Sequence, residues 1–207
     1  MDLKSISMSP DELPPREASR LLLSIIAPRP IAWVSSVGAD GSLNLAPFSF
    51  FTAVSANPPT VMIAVGARKG QPKDTLRNVQ ETGEFVIHIV DETLAEAMNL
   101  TSGEWEYGVN EFEVARLETR PSLEVKPPRV AAAPVAMEAK LVQIVPVEAT
   151  SSTLILGRIL RYHLRADLLR PNSVIDSSLL RPITRLGGEE YATIGRVFEM
   201  NRPQTNN

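Results

Sequence analysis

Residues 66–75 form a loop rich in basic side chains that leads into a predicted helix. The residue types of this loop could bind an anion. Arg68 and Lys73 supply positive charge, and Thr75 supplies a hydroxyl group. The free N–H groups at the start of a helix add fixed dipoles, and groups of these kinds bind a phosphate monoester. The spacing of glycine and lysine is not that of a P-loop. From the residue types alone, the favoured alternative is a solvated loop with Asp74 as the helix N-cap.

A second stretch, residues 29–59, mixes aromatic, small and hydroxyl-bearing side chains in a way that suits a flat, partly polar aromatic ligand. Small residues let backbone N–H groups approach a ring, while Phe and Trp supply flat apolar walls. The candidate contacts are Trp33, Ser35, Asn44, Ala46, Pro47, Phe48, Ser49, Phe50, Ser55 and Asn57. The alternatives are a core position for the tryptophan, outward-facing hydroxyls on a sheet, and a rigid loop around Asn57 and its two prolines.

Turn residues and apolar patterns place these two stretches among many short strands and few helices. Strands are predicted at residues 31–37, 43–48, 51–55, 60–65, 85–90, 135–146 and 153–164. Helices are predicted at residues 18–25, 75–82 and 93–100. Gly83 is expected to end the second helix, and the apolar run at residues 60–65 is expected to be buried on both faces. This pattern is typical of a closed or partly closed antiparallel barrel.

Three features outside these stretches have open interpretations. The long irregular segment at residues 101–129 contains Trp105 and Tyr107, which are candidates for a lid or for a subunit contact. His88 lies within an apolar strand and is expected to be a buried, hydrogen-bonded structural residue. Near the C-terminal end, Arg185 and a following tyrosine either anchor the tail across a site or only complete the fold.

Composition excludes several classes of function. The chain has 207 residues, enough for one domain with a sizeable core, and its formal net charge is −3 with no basic stripe, which argues against nucleic-acid binding. It has no cysteine and two histidines, so thiol chemistry and thiolate metal sites are excluded and no metal is expected. Any redox chemistry therefore needs an organic cofactor. Without a leader-like or membrane-spanning apolar run, the sequence predicts a cytoplasmic protein with no membrane partner.

An ordered set of short motifs extends through nearly the whole chain. Besides the stretch at residues 29–59, they are Lys73-Asp74-Thr75-Leu76-Arg77-Asn78, Gly83-Glu84-Phe85, Asn110-Glu111-Phe112, Lys126-Pro127-Pro128-Arg129-Val130 and Arg185-Leu186-Gly187-Gly188-Glu189-Glu190-Tyr191-Ala192. Each motif alone is weak, but the ordered set resembles the flavin reductase-like family, and within it the flavoredoxin-like branch. The fold of that family is the FMN-binding split barrel.

The resemblance implies a mainly β split barrel, antiparallel and of Greek-key type, with a few peripheral helices and a single domain over residues 1–207. It implies FMN as cofactor, with its phosphate near Arg68, Lys73, Asp74 and Thr75, and NAD(P)H as a possible electron donor. It raises His163 as the candidate catalytic residue near the flavin or nicotinamide. It also implies a homodimer with the flavin near the subunit interface.

The sequence differs from the short reductases of the family at one informative place. Those reductases have a Gly-Asp-His signature linked to nicotinamide binding, whereas this chain has Arg161-Tyr162-His163. Three hypotheses therefore stay open. The first is an NAD(P)H:flavin reductase-like enzyme, the second is a flavoredoxin-like electron-transfer flavoprotein that exchanges electrons with a protein partner, and the third is a non-catalytic flavin-binding module.

Overall fold

A single curved antiparallel sheet dominates the computed structural model, which describes residues 4–203. Its long strands are β1 (Ala32–Val37), β2 (Leu43–Phe48), β3 (Phe51–Ala56), β4 (Pro59–Arg68), β5 (Glu84–Ile89), β6 (Val135–Pro146) and β7 (Ser152–Leu164). They pair in the order β2-β1-β5-β6-β7-β4-β3, and every pair is antiparallel. The two edge strands, β2 and β3, are separated only by Ser49 and Phe50, so the sheet curls around a core. The predicted split barrel is confirmed.

Every long strand except β3 contributes buried side chains to the core of the barrel. Phe51 of β3 is half-buried and packs against this core. Side chains alternate between the two faces of a strand, and the inward ones on β4 are Val61, Ile63 and Val65. Gly157 on β7 leaves room for the ring of Phe85, because a Cβ atom at position 157 would lie 2.2 Å from its Cζ.

Five helices decorate the barrel within the described residues: α1 (Pro15–Ile25), α2 (Asp74–Thr82), α3 (Ala95–Leu100), α4 (Glu111–Val114) and α5 (Ser177–Leu180). Helix α2 packs Leu76 and Val79 into the barrel core and ends at Gly83, whose left-handed φ of 71° closes the last turn. Short strands lie at Arg29–Pro30, Gln71–Pro72, Thr119–Arg120, Arg129–Val130, Leu169–Arg170, Val174–Ile175, Thr184–Arg185 and Tyr191–Ala192. 3-10 helices lie at Pro10–Glu12, Glu92–Leu94, Ala166–Leu168 and Pro171–Ser173.

The outer face of β1 and β2 is covered by a second apolar cluster. Trp33 and Leu45 from these strands pack with Met98 of α3 and Phe112 of α4. Trp33 is fully buried, and its Nε1 donates a hydrogen bond to Thr101 Oγ1 at 2.8 Å. This packing fixes where the segments after β5 cross the barrel, and those segments form one wall of the cleft described below.

Most predicted elements are confirmed to within three residues at each end, but two details are wrong. The run at residues 60–65 is not buried on both faces, because Thr60, Met62 and Ala64 alternate with the buried residues and remain half-exposed in the single chain. Asp74 is not the N-cap of α2. Lys73 holds that position without a capping side chain, and Asp74 is the first helical residue, where its charge favours the helix dipole.

Among residues 4–203, no helix combines the length and the apolar character needed to cross a bilayer. The same residues include no group of three or more His, Cys, Asp or Glu side chains placed to hold a metal ion. The predicted domain spans residues 1–207, of which 1–3 and 204–207 lie outside the described residues, so its full extent stays a prediction.

Candidate flavin-binding site

A cleft of about 520 Å³ lies where β2 and the end of β4 meet the start of α2, and we call it the helix cleft. Its second wall is the segment at residues 101–107, which we call the flap. The lining residues are Asn44, Ala46, Pro47, Ala67, Arg68, Lys69, Gln71, Pro72, Lys73, Asp74, Thr75, Arg77, Glu111 and the whole flap. Its volume is in the range of roughly 300–1,000 Å³ that is usual for small-molecule sites.

The start of α2 supplies uncommitted hydrogen-bond donors to the helix cleft. The first N–H groups of a helix have no partner inside it, and Lys73 gives α2 no side-chain cap. Thr75 is buried within the first turn, and its Oγ1 accepts a hydrogen bond from Asn44 Nδ2 at 2.9 Å. The Lys73 ammonium lies 5.7 Å from the centroid of the Phe48 ring, beside the same cleft. These donors and cations are the groups that an anion requires.

Arg68 joins the two walls of the helix cleft. Its guanidinium donates hydrogen bonds to the backbone oxygens of Trp105 and, at 3.0 Å, of Glu104. It also lies 3.9 Å from the Glu104 carboxylate. The Trp105 indole in turn donates to Leu100 O at 3.2 Å. An anion bound at Arg68 would therefore compete with flap oxygens for the same guanidinium.

A second arginine holds the far end of the flap. The Arg77 guanidinium lies 4.4 Å from the centroid of the Tyr107 ring, which is a cation–π contact. The Tyr107 hydroxyl donates to Asp40 Oδ2 at 3.1 Å, in the turn between β1 and β2. Trp105 and Tyr107 therefore lie at the cleft, as the lid interpretation expects.

Glu111, the first residue of α4, is a buried carboxylic acid at the edge of the helix cleft. Burial raises its pKa to about 7, and the neighbouring charge of Asp74 acts in the same direction, although a hydrogen bond from Leu45 N–H at 3.0 Å opposes the shift. Near neutral pH this residue is therefore divided between its neutral and its charged form, which limits its repulsion of an anion in the cleft.

A second cleft of about 700 Å³, which we call the tail cleft, lies between α1, the loop joining β2 to β3, and the C-terminal segment. It is lined by Leu23, Arg29, Ile31, Pro47, Ser49, Phe50, Lys73, Met98, Asn99, Ser102, Arg185, Leu186, Gly188, Glu189 and Tyr191. Pro47, Lys73 and Ser102 line both clefts, so the two are neighbours along β2.

The structure brings together nine of the fifteen predicted site residues. Those in the helix cleft are Asn44, Ala46, Pro47, Arg68, Lys73, Asp74 and Thr75, and the tail cleft adds Ser49 and Phe50. Phe48 lies just beneath, with its ring buried in the barrel core under the Lys73 ammonium. The two predicted stretches, the basic loop and the aromatic hairpin, thus form one continuous surface.

Four predicted contacts on strands β1 and β3 and the adjoining turn lie outside both clefts. Trp33 is a core residue, and Ser35 is fully buried with its Oγ donating to Pro128 O at 2.6 Å. Ser55 and Asn57 lie at the β3–β4 turn, on a different part of the barrel. No residue of β1 lines either cleft, and the single chain offers no support for a cofactor contact by any of the four.

His163 also lies outside both clefts. It is on β7, on the outer face of the sheet, and its Nε2 faces Oε1 of the fully buried Glu138 at 2.5 Å. Burial opposes ionisation of Glu138, but hydrogen bonds from Leu123 N–H, His163 and Glu124 N–H outweigh it and hold the pKa of this carboxyl below its usual value. The Glu138–His163 pair anchors the segment that covers this face, and a catalytic role for His163 has no support from the geometry.

The structural role predicted for His88 is confirmed. The ring is fully buried, Nδ1–H donates to Trp33 O at 2.9 Å, and Nε2 accepts from Val130 N–H at 3.0 Å. Burial lowers the pKa of His88 to about 4, because a charged ring would lose its water shell and the acceptor that Val130 needs. The ring is therefore neutral at physiological pH.

Arg77 and Glu111 occur in the family motifs but were not among the predicted site residues. Arg77 follows Lys73 by four residues, a spacing that places two side chains on the same side of a helix, so a signal for it existed. Glu111 lies in the motif Asn110-Glu111-Phe112, but that motif does not indicate its contact with Leu45, which is 66 residues away in sequence.

Residues 25–180, three quarters of the chain, match the sequence model of the flavin reductase-like domain. The chain belongs to the flavin reductase-like family. Members share the split-barrel fold predicted from the motifs, and the recognition is confirmed.

Solved structures of flavin reductase-like proteins agree. Nitrilotriacetate monooxygenase component B from Bacillus cereus has a TM-score of 0.92 and 36% identity, over 96% of this chain and 100% of that chain. The 2-nitrobenzoate 2-nitroreductase of Pseudomonas fluorescens has a TM-score of 0.85 and 31% identity, over 97% and 96% of the two chains. Flavoredoxin of Desulfovibrio vulgaris (Miyazaki F), at 21% identity, has a TM-score of 0.73 over 84% and 90% and shares the fold.

The residues of the helix cleft fit a flavin that carries a phosphate group. The uncapped start of α2, Thr75 and the cations Arg68 and Lys73 match a phosphate. The small side chains of Ala46 and Pro47 leave the backbone of β2 open to a flat ring, and Phe50 adds an apolar wall where the cleft continues.

Proposed function

We propose that this protein is an FMN-binding oxidoreductase, with the phosphate of FMN at the start of α2 and its ring along residues 46–50. The observation that supports this most is the uncapped helix start with Thr75 and Lys73 beside an open cleft. When bound, FMN supplies a carrier that accepts a hydride or a pair of electrons. The surrounding residues bind and orient it, and hydride uptake by a flavin requires no general base from the protein.

The leading form of the proposal is reduction by NAD(P)H. Two structural relatives above 30% identity are named as a monooxygenase component and a nitroreductase, which supports an oxidoreductase role. A flavoredoxin-like role with a protein electron donor or acceptor is the second candidate, favoured by Arg161-Tyr162 in place of the Gly-Asp of the short reductases. The presence of Lys73 and Thr75 at the cleft disfavours a binding module that has lost its cofactor. A cytoplasmic location stays a prediction.

The visible spectrum of the purified protein tests this proposal directly. We expect the protein to be yellow as isolated or to quench FMN fluorescence on titration, and anaerobic NADH or NADPH to bleach the bound flavin. Bleaching by a reduced protein donor alone would select the electron-transfer candidate. A colourless protein that leaves FMN fluorescence unchanged would refute FMN binding.

We also propose a homodimer, supported by the outer surface of the barrel. On β4 and β7 the outward side chains Met62, Leu154 and Leu156 are apolar and only half-buried in the single chain, and Met62 is directly opposite Leu156. Val54 on the neighbouring strand is 49% exposed. Contiguous apolar surface of this kind marks an association face.

A charged substitution on this face is expected to separate the subunits. Met62→Asp should convert the protein from a dimer to a monomer at micromolar concentration, because an unpaired carboxylate would be buried in the contact. Light scattering coupled to size-exclusion chromatography measures the change. Leu123→Asp, at a 65% exposed position outside β3, β4 and β7, is the matched control and should remain dimeric. A wild-type monomer, or a dimeric Met62→Asp variant, would contradict this proposal.

A further inference from the structure

The tail cleft has two arginines, Arg29 and Arg185, that the proposed FMN site does not use. Arg29, Lys73 and Arg185 line it, and Glu189 is its only carboxylate among the described residues. Resting on the proposed function, we propose that the tail cleft binds the anionic group of the compound that exchanges electrons with the flavin, with Arg185 as its direct contact. The expected ligand is a planar ring carrying a carboxylate or a phosphate.

Two arginines are placed directly opposite each other at this cleft. Arg29 pairs with Arg185 in the antiparallel register of their short strands, and like charges in such a position destabilise a sheet. Within residues 4–203 no carboxylate lies within ion-pair distance of either guanidinium. A bound anion would relieve this repulsion.

Arg29 is fixed in place by backbone oxygens. Its Nη1 donates to Leu23 O and, at 2.6 Å, to Ile26 O near the end of α1, and Nη2 donates to Leu186 O at 2.8 Å. Its buried Nε has no hydrogen-bond partner in the described structure. Arg29 therefore supplies a fixed positive field at the cleft and ties α1 to the C-terminal segment.

Arg185 is presented differently, with donors still available. Its guanidinium stacks 4.4 Å from the centroid of the Tyr191 ring, and Nη2 donates to Gly188 O at 2.5 Å. The Tyr191 hydroxyl is held in turn by Asn99 Oδ1 at 3.2 Å. Among the described residues Nε and Nη1 of Arg185 make no hydrogen bond, so each of these atoms can donate to an oxygen of a carboxylate or phosphate.

The remaining walls suit a ring. Ile31, Phe50 and Met98 line the cleft with apolar surface, and Pro47 and Lys73 continue into the helix cleft. A planar ligand held by Arg185 would thus lie beside the surface proposed for the flavin ring. This arrangement places an anionic electron donor or acceptor next to FMN without using the FMN phosphate site.

The test is isothermal titration of the FMN-loaded protein with matched pairs of probes. Comparing the affinities of benzoate and benzamide tests whether the cleft prefers a carboxylate. Comparing adenosine 2′-monophosphate with adenosine tests whether it prefers the phosphate of a nicotinamide nucleotide. We expect at least one anion to bind about tenfold more tightly than its neutral partner. Arg185→Ala should abolish that preference while FMN affinity changes less than about twofold. Arg181→Ala, an exposed arginine paired with Glu92 at 2.8 Å outside both clefts, is the control.

A second variant guards against a folding defect in Arg185→Ala. Glu189 is exposed, so Glu189→Gln should fold normally and strengthen anion binding about two- to fivefold by removing the opposing charge. Equal binding of anion and neutral partner, no response to either variant, or displacement of the anion by excess FMN would overturn the inference while leaving FMN binding intact. Failure of FMN itself to bind would refute the proposed function as well.

Discussion

Replacing Lys73 with alanine is expected to weaken FMN binding by about 1–3 kcal/mol, which is roughly five- to 150-fold in Kd. Lys73 precedes the first turn of α2 and lines both clefts, so its ammonium can reach a phosphate held by the free N–H groups of the helix. Its loss removes one charge-assisted contact and leaves the helix dipole and Arg68. Quenching of FMN fluorescence, measured at fixed salt, gives the affinity.

Two controls separate a contact from a general charge effect. Lys140→Ala removes an exposed lysine on β6, away from both clefts, and should leave the Kd unchanged. Riboflavin, which lacks the phosphate, should bind wild type and Lys73→Ala equally. If Lys73→Ala binds FMN as tightly as wild type, the loop at residues 66–75 does not hold the phosphate.

The second large effect concerns the pH dependence of stability, to which two buried groups contribute with opposite sign. The pKa of His88 is lowered to about 4 in the folded protein, so between about pH 4 and 6.5 only the unfolded chain binds a proton there. The free energy of unfolding therefore rises with pH through this window, by about 3 kcal/mol.

The pKa of Glu111 is raised to about 7, so between about pH 4.5 and 7 only the folded chain keeps a proton on the Glu111 carboxyl. Its contribution falls with pH by about 3 kcal/mol.

In the wild type these two contributions to the pH dependence of the free energy of unfolding nearly cancel. A single variant that removes one of them should therefore reveal the other. Glu111→Gln keeps an acceptor for Leu45 N–H, and its free energy of unfolding should rise between pH 4.5 and 7 more steeply than that of wild type. His88→Gln keeps a neutral acceptor for Val130 N–H, and its free energy of unfolding should fall over the same interval. Urea denaturation at several pH values measures both slopes, and the slope is independent of any constant loss of stability.

The double variant is the internal control for this prediction. His88→Gln with Glu111→Gln should return the pH dependence to that of wild type, because the two contributions are then both absent. Parallel curves for wild type and the two single variants would show that neither group has the shifted pKa that its burial predicts.

Local residue patterns predicted the part of the site that lies at the start of α2, where the residues are consecutive in sequence. Lys73, Asp74 and Thr75 lie together because they begin one helix, and a helix start fixes the positions of its first residues whatever surrounds it. The cap was assigned one residue late, since Asp74 suits either position. Strand periodicity located β1 correctly, but no residue of this strand lines either cleft, so Trp33 and Ser35 lie elsewhere.

The sequence by itself determined the barrel, the absence of thiol chemistry, and the pairing of a cationic helix start with an aromatic hairpin. Their residue types and order are intrinsic to the chain. Only the tertiary structure decided which distant groups meet: Glu111 beside Leu45, and Arg29 opposite Arg185. The physical reason is that burial and strand register arise from packing of the whole chain, and no local pattern encodes the desolvation or the like-charge contact that results.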